Sequence, residues 1–289
     1  MTPNLKGALL MMGSMMAFTI NDTLVKVALQ DLPLFQLIAL RGLLATSLVY
    51  LLARHLGAFH LRFPRHDRWL IALRCVAELS ATFFFLTALK HMPLANVTAV
   101  LQVLPLSVTL GAALFFHEAI GWRRMVAIAM GFAGMLLIVR PGPEGFDLYA
   151  IYALVAVLSV TARDLITRRM SAEVPSMLVT LATSFSITVT AAIVSIFEGW
   201  VPVSVATGGL VVSAAIFVLV AYLCSVMVMR VGEVGFVAPF RYTGLLWALG
   251  LGWLVFGDWP DAITLMGAML VVGSGLFTLF RTRARQPEV

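Results

Sequence analysis

The chain has 289 residues, of which 61% are hydrophobic and only 12% are charged. Soluble domains are nearer half apolar and a quarter charged, so this composition excludes an ordinary water-soluble domain. Lipid must therefore be the main solvent of the folded chain. The net charge of +6 lies mostly in the connections between apolar stretches. We interpret it as a signal of membrane topology, and we expect no nucleic-acid partner.

Ten apolar stretches follow one another along the chain. They cover residues 5–28, 34–53, 70–89, 94–116, 122–139, 148–167, 176–197, 208–229, 234–256 and 262–280. Each is close to the roughly 20 residues that a helix needs to cross about 30 Å of hydrocarbon. Most connections are short, so consecutive helices should run antiparallel. The sequence predicts an all-α membrane protein with ten transmembrane helices, and we number these spans one to ten.

Lysine and arginine are distributed unequally between the two sides of this arrangement. Thirteen lie on the side of the chain termini, three lie on the other side and four lie inside apolar stretches. Cytoplasmic loops of membrane proteins are enriched in these cations. We therefore predict that both termini are cytoplasmic.

The two halves of the chain carry matching positions, which indicates an internal repeat. Asp22 and Asp164 each precede a cation by four residues and are separated by an offset of 142. Lys26 and Arg168 also match at the offset of 142, whereas Lys90 with Arg230 and Glu118 with Asp258 match at 140. Each half then holds five spans, and because five is odd the second half must be inverted. We predict a first repeat over residues 1–146 and a second over 147–289, an architecture typical of transporters.

Seven ionisable side chains fall inside the spans, where a charge is costly and usually indicates function. They are Asp22, Arg41, Arg74, Glu78, Arg163, Asp164 and Arg241. Their depth along the helices predicts an ion pair of Asp22 with Arg41 on the outer side. The other five lie at similar depths on the inner side and predict a second cluster. Within it, Arg74 and Glu78 are four residues apart and share a helix face.

Four arginines are matched by only three acids among these residues, so one arginine is left to hold a substrate carboxylate or phosphate. The structural alternative remains open at this point. In that interpretation the charges only fix the packing of the helices, and a lone arginine bonds backbone carbonyls.

Aromatic and amide side chains are the other candidates for contact with a substrate. They are Phe83 in span three, Gln102 in span four, Tyr222 in span eight and Tyr242 in span nine. A cavity lined in this way suits a flat or apolar metabolite with a few polar groups. Ordinary packing or lipid contact is the alternative for each of them.

Proline interrupts two spans that are repeat mates. Pro105 lies in span four and Pro239 lies in span nine. Proline removes a backbone donor and allows a kink in a transmembrane helix. We predict a bend at both positions, which suits a hinge for alternating access as well as it suits a static kink.

No motif for catalysis or for a cofactor is found in the sequence. It has no glycine-rich phosphate loop followed by lysine, no zinc-ligand spacing among its histidines and no serine nucleophile elbow. We expect neither enzymatic activity nor a bound cofactor or metal. Cys75 and Cys224 lie inside apolar stretches, so we expect no disulfide between them.

Several of these features together resemble the drug/metabolite transporter superfamily. The features are the ten spans in two repeats, Asn21-Asp22 and Lys26 at the end of span one, and Lys90 followed by Pro93-Leu94-Ala95 before span four. Glu118 at the end of span four is similar to the EamA-type branch, although Asp258 replaces glutamate at the matching position. The size and aromatic content are similar to bacterial inner-membrane exporters of aromatic amino acids of the YddG type. The resemblance implies a bacterial inner-membrane location and a central cavity lined by spans one, three, four, six, eight and nine.

We therefore expect an inner-membrane transporter that exports small metabolites by alternating access, with amino acids, including aromatic ones, as the first choice of substrate. The hypothesis is that Asp22–Arg41 and the inner cluster of Glu78, Arg163, Asp164 and Arg241 act as opposed gates. The alternatives are a carrier of nucleotide-like or cofactor-like solutes, and a non-transporting membrane assembly protein. The expected partners are a small-molecule substrate and the lipid bilayer, with the chain as a monomer or weak homodimer.

Overall fold

The structure is a computed structural model that describes residues 2–55, 64–117, 121–140, 147–171, 173–231 and 234–283. Within these ranges every regular element is a helix. The first half holds α1 (Pro3–Ala28), α2 (Leu34–His55), α3 (Arg65–His91), α4 (Leu94–Leu101), α5 (Leu104–Phe116) and α6 (Trp122–Val139). The second half holds α7 (Leu148–Arg168), α8 (Ser176–Glu198), α9 (Val205–Val231), α10 (Val234–Val237), a 3-10 helix (Ala238–Tyr242), α11 (Thr243–Phe256) and α12 (Ala262–Arg283).

The helices confirm an all-α membrane protein. Eight stretches among the described residues are long and apolar enough to cross a membrane, and a shorter apolar stretch, Ala262–Thr278, forms the tenth span. The ninth span is divided among α10, the 3-10 helix and α11. Helix α3 begins at Arg65 and α9 begins at Val205, several residues before the apolar stretches at 70 and 208. The difference arises because helical hydrogen bonding continues past the hydrocarbon into polar residues, which hydropathy does not detect.

The helical path is interrupted near both prolines, in the repeat-mate spans where the sequence predicts a bend. Gln102 and Val103 form a turn between α4 and α5, two residues before Pro105. The proline ring excludes the carbonyl of the residue four positions earlier, here Leu101, from its usual hydrogen bond. Around Pro239 the chain tightens into the 3-10 helix. Both breaks bring non-α-helical backbone to the middle of the bundle, where it is tolerated beside a cavity.

The packing of the helices is the same when the two halves are exchanged. In the repeat, α1 corresponds to α7 and α3 corresponds to α9. Helix α1 packs along α9, and α7 packs along α3 in the same way. Three other contacts join a helix to its own repeat mate. They are α2 with α8, α4 with α11, and α6 with α12. This arrangement fits two repeats of five spans related by inversion. The predicted boundary between residues 146 and 147 stays a prediction, and residues 141–146 lie outside the described ranges.

Spans five and ten, formed by α6 and α12, illustrate how closely the helices approach. A Cβ atom built on Gly134 of α6 would lie 2.7 Å from the carbonyl oxygen of Gly267 in α12. Small residues in lipid let backbones meet in this way and gain dispersion energy that bulkier residues exclude. Spans five and ten therefore form a tight unit.

One end of the bundle is more completely closed than the other. We call the end that carries the start of α1 the terminus face, and the end that carries the connection between α1 and α2 the distal face. A buried apolar cluster fills the distal half between α1, α2, α3, α4, α8, α9 and α11. Its members include Val25, Ala28, Leu29, Leu37, Leu89, Leu94, Ala191, Val211, Ala214 and Ala248. The cavities described below lie in the middle and toward the terminus face.

Candidate functional site

Two adjoining cavities occupy the interior of the bundle. Cavity A has a volume of about 440 Å³ and lies between α1, α3, α4, α5, α7, α9, the 3-10 helix and α11. Cavity B has a volume of about 300 Å³ and lies between α2, α3, α7, α8 and α9. Both volumes are in the range of small-molecule sites, roughly 300–1,000 Å³. Cavity A is lined by the six spans that the resemblance implies, whereas cavity B adds spans two and seven.

Four side chains belong to the walls of both cavities: Glu78, Thr82, Arg163 and Tyr222. We call these four residues the dividing wall. Arg163 Nη1 lies 3.0 Å from Glu78 Oε2, and its Nη2 lies 2.8 Å from Asp164 Oδ1. The side chains of Arg163 and Glu78 are only 22% and 15% exposed, so this ion pair is largely removed from solvent. The predicted inner cluster therefore assembles around Arg163, with a carboxylate from α3 and one from its own helix.

Arg241 does not join this cluster by contact. It lies on the 3-10 helix and lines cavity A, and it makes no hydrogen bond or ion pair to any described residue. Asp164 acts on it electrostatically, without a direct contact. The sequence has one more arginine than acids inside the spans. Among the described residues, Arg241 is an intramembrane arginine that no acid pairs with.

The predicted ion pair of Asp22 with Arg41 is wrong as a direct contact. Arg41 Nη1 donates to Asn21 Oδ1 at 3.0 Å, and Asn21 Nδ2 donates to Asp22 Oδ1 at 2.9 Å. Consecutive residues of a helix point in directions about 100° apart, so Asn21 faces α2 while its neighbour turns away. Asp22 lines cavity A and Arg41 lines cavity B. An amide therefore links the two charges across the boundary between the cavities.

The shared helix face of Arg74 and Glu78 does not produce an ion pair either. Arg74 Nε donates to Thr167 Oγ1 at 2.9 Å, and Arg74 Nη1 donates to the Thr183 hydroxyl. Glu78 is instead bonded by Arg163. Arg74 thus joins α3 to α7 and α8 through hydroxyl groups, which supports a packing role for this residue.

The polar candidates Gln102 and Tyr222 lie where the sequence suggests, whereas two aromatic candidates do not. Gln102, at the break between α4 and α5, lines cavity A, and Tyr222 belongs to the dividing wall. Phe83 lines neither cavity and stacks on Phe35 with ring centroids 5.8 Å apart. Tyr242 also lies outside both cavities. Its hydroxyl is buried beside Gly275 of α12, with no hydrogen bond to the described residues.

Sequence reasoning missed several residues of the cavity walls. Phe85 lines cavity A in place of Phe83, and Thr82 belongs to the dividing wall. Glu78, Thr82 and Phe85 follow the spacing i, i+4, i+7, which defines one face of a helix. Given Glu78 as a site residue, this spacing selects Phe85 from the three consecutive phenylalanines. No comparable signal identifies the thioethers of Met11 and Met15, which also line cavity A.

Ten helical spans in two inverted repeats, enclosing polar cavities at mid-bundle, define a multi-pass membrane protein with the architecture of a secondary transporter. The model of the EamA-like transporter family matches residues 5–140 and 147–280. The chain therefore belongs to the EamA-like transporter family, within the drug/metabolite transporter superfamily. Glu118, which the resemblance includes, lies outside the described residues.

Named relatives agree with this assignment at low identity. The pseudopaline exporter CntI of Pseudomonas aeruginosa is 28% identical over 282 residues, covering 92% of this chain and 93% of that protein. An S-adenosylmethionine uptake transporter of Rickettsia bellii is 26% identical and covers 68% of this chain and 69% of its own length. A riboflavin transporter of Vibrio cholerae is 25% identical, with coverage of 98% and 96%.

A solved crystal structure has a TM-score of 0.68 to this chain at 20% identity, covering 97% of this chain and 99% of that one. At this identity the likeness shows a shared fold. The family and the named relatives together make the chain a membrane transporter.

Proposed function

We infer that this transporter exports amino acids, including aromatic ones, from the bacterial cytoplasm by alternating access. The observation that carries the proposal is the composition of cavity A. It combines Arg241, which makes no hydrogen bond or ion pair to a described residue, with the carboxylate of Asp22 and the amide of Gln102. Phe18 and Phe85 supply aromatic surface in the same wall.

A zwitterionic amino acid matches these groups one by one. Its α-carboxylate would bond the guanidinium of Arg241, since arginine binds carboxylates through two parallel hydrogen bonds. Its ammonium group would bond Asp22, whose only hydrogen bond from a described side chain comes from Asn21. Its side chain would contact Phe18 and Phe85. Such pairing also offsets the cost of keeping charged groups inside a membrane protein.

The proposed direction follows from orientation. Both termini are proposed to be cytoplasmic on the cation distribution. The cavities then lie toward the cytoplasm, and the apolar cluster closes the periplasmic side. This arrangement suits a state that is loaded from inside the cell. The exporter name of the Pseudomonas relative supports the same direction.

The proposed gates differ in construction. On the inner side, Arg163 is held by Glu78 and Asp164, and breaking these contacts would release its guanidinium from the dividing wall. On the outer side, Asp22 and Arg41 act through Asn21. Alternation would break one set of contacts while the other is kept.

Efflux from proteoliposomes that contain only this protein tests the proposal. We expect the wild type to release labelled phenylalanine. The efflux rate should fall at least about tenfold in Arg241→Gln and in Asp22→Asn, because a charged hydrogen bond contributes about 1.5–3 kcal/mol. Arg241→Lys keeps the charge and should retain part of the efflux. The control is Arg68→Gln, which removes an exposed arginine outside both cavities. Efflux that ignores a pH gradient indicates a facilitator. Absence of amino-acid efflux from liposomes that retain folded protein would overturn the proposal.

A second candidate function is transport of a nucleotide-like or cofactor-like solute. The relatives named for S-adenosylmethionine and riboflavin favour it. The same proteoliposomes, loaded with S-adenosylmethionine, riboflavin or a nucleoside, distinguish the two candidates. Efflux of one of these without efflux of amino acids selects the second.

A further inference from the structure

Cavity B has no part in the proposed binding of a simple amino acid. We propose that it is a second subsite of the same binding site, and that it holds the acidic far end of an amino acid derivative extended at its side chain. The inference rests on the proposed function, because the amino acid head is taken to lie in cavity A. The ligand class is therefore an α-amino acid whose side chain continues through a polar link to a second carboxylate.

The two cavities are contiguous, so one ligand can reach both. They share the dividing wall, and three of its four side chains are long and polar or aromatic. Thr82 is the exception, because it is short and its hydroxyl makes no hydrogen bond to a described residue. An extended side chain would pass beside Thr82, with a hydrogen bond available to an amide in its middle. The Arg163–Glu78 pair can stay closed during this passage.

The charges around cavity B favour an anion. Arg41, Arg74 and Arg163 line it, together with the two carboxylates of Glu78 and Asp164. Both carboxylates are bound to Arg163, so neither is available to neutralise another arginine. One positive charge therefore remains in excess within this wall.

Arg41 is the side chain best placed to bind that anion. Arg74 is bonded to two threonine hydroxyls, whereas among the described residues Arg41 makes one hydrogen bond, to the neutral amide of Asn21. No described carboxylate forms an ion pair with Arg41. A guanidinium has five donor N–H groups, so four remain for a ligand. Arg41 thus has the same role in cavity B that Arg241 has in cavity A.

The remaining surface of cavity B differs from that of cavity A. Hydroxyl groups of Thr180, Ser184 and Thr188 line it. Thr180 donates to a carbonyl of its own helix at 3.0 Å, which leaves its hydroxyl oxygen able to accept from a ligand. Thr188 also donates within its helix, at 2.8 Å, and its oxygen already accepts from Thr46 at 2.9 Å. Cavity A presents phenyl rings and thioethers instead. A ligand suited to both therefore has a polar far end with hydrogen-bond donors as well as a carboxylate.

A matched pair of ligands tests the second carboxylate alone. γ-Glutamylglycine and γ-glutamylethylamide share the amino acid head and the amide link, and only the former ends in a carboxylate. The readout is the ratio of their inhibition constants against phenylalanine efflux. We expect the wild type to prefer γ-glutamylglycine by about tenfold, which corresponds to about 1.4 kcal/mol. A direct readout, the shift of the unfolding temperature with each ligand, gives the same ratio without transport.

Variants then assign the preference to cavity B. Arg41→Gln should reduce the ratio to about one, whereas Arg68→Gln, which removes an exposed arginine, should retain it. Ala45→Leu fills cavity B without a change of charge and should also reduce the ratio; it serves if Arg41→Gln does not fold. Because the ratio compares two ligands on one protein, a general loss of gating cancels.

The outcomes separate this inference from the proposed function. Phenylalanine efflux with no preference between the two ligands overturns the second subsite and leaves the proposed function intact. A preference that persists in both Arg41→Gln and Ala45→Leu also overturns it, since the carboxylate then binds elsewhere. If neither phenylalanine nor either glutamyl ligand binds, the proposed function fails and the inference fails with it.

Discussion

Lys26 is a buried cation near the distal face, and its removal gives a quantitative test of how that face is closed. Its side chain is 8% exposed, and Nζ donates to the carbonyls of Leu89 and Met92 at 2.8 and 2.6 Å. Carbonyls at the end of a helix have no partner within it and carry partial negative charge. The ammonium also lies 5.3 Å from the ring centroid of Phe256. One residue of α1 therefore holds the ends of α3 and α11.

The substitution Lys26→Met keeps the length of the side chain and removes the charge. Two hydrogen bonds to a charged donor contribute about 3–6 kcal/mol in total, at about 1.5–3 kcal/mol each. The substitution also removes the cost of desolvating the buried ammonium, and this gain offsets part of the lost hydrogen-bond energy. We expect a net destabilisation of about 2–3 kcal/mol, or a fall of about 3–5 °C in Tm for a chain of this size.

Thermal unfolding in detergent measures this effect, with Lys90→Met as the matched control. Lys90 is an exposed lysine at the same end of α3, and its removal should change stability by less than about 0.5 kcal/mol. A cysteine placed at Leu29, within the apolar cluster, should react faster with a thiol reagent when Lys26 is Met. Equal unfolding temperatures for the two lysine variants would refute the reasoning, because the carbonyl contacts would then contribute nothing to closure.

Three further predictions concern other parts of the bundle. Phe85→Leu should reduce phenylalanine efflux several-fold while Phe83→Leu should not, because only the former side chain lines cavity A; equal effects in transport assays would contradict this placement. Gly267→Ala should lower the unfolding temperature, because its Cβ would lie 2.8 Å from a side-chain carbon of the facing helix and closer still to its backbone; an unchanged temperature would show that spans five and ten can separate at little cost. The hydrogen bond from Arg140 lowers the pKa of Asp261, which lies outside the spans, from 3.8 to about 2. The stabilisation is therefore complete above the usual pKa of 3.8 and lost as the pH falls through about 2, so wild type and Asp261→Asn should converge in stability over that range and differ above it.

The fold could be predicted from sequence because lipid leaves few choices to the backbone. Every buried N–H and C=O must be satisfied within a span, so apolar length alone indicates helices and their number. The prolines at 105 and 239 add the two interruptions, since each removes a backbone donor. Helix ends are predicted less well. Residues 65–69 are helical although they include charges, because a helix continues past the hydrocarbon into water.

The candidate site was predicted at the level of charge and not at the level of contacts. A charged side chain inside the membrane is costly, so it is expected to face a cavity or a partner. This reasoning identifies four residues that all line cavity A: Asp22, Glu78, Arg163 and Arg241. Depth alone does not give the direction of a side chain around the helix axis, so the sequence does not identify the amide of Asn21 as the link to α2.

The position of Tyr242 shows the same limit in a different backbone. It ends a 3-10 helix and directly follows Arg241, and consecutive residues of such a helix point about 120° apart. The side chain consequently packs against α12, while its neighbour Arg241 lines cavity A.

The contacts between spans also indicate which parts should move. Helix α1 packs along α9 and α3 packs along α7, whereas α1 and α3 meet over a much smaller surface. Cavity A lies between these two pairs, so alternating access requires the pairs to separate at one face while they meet at the other. At the distal face, Lys26 and the apolar cluster join α1 to α3. A contact limited to two hydrogen bonds and a small apolar surface can be exchanged for substrate contacts of similar energy. The extensive surfaces within the α1–α9 pair and within the α3–α7 pair cannot be exchanged in this way. We therefore expect each pair to move as a unit.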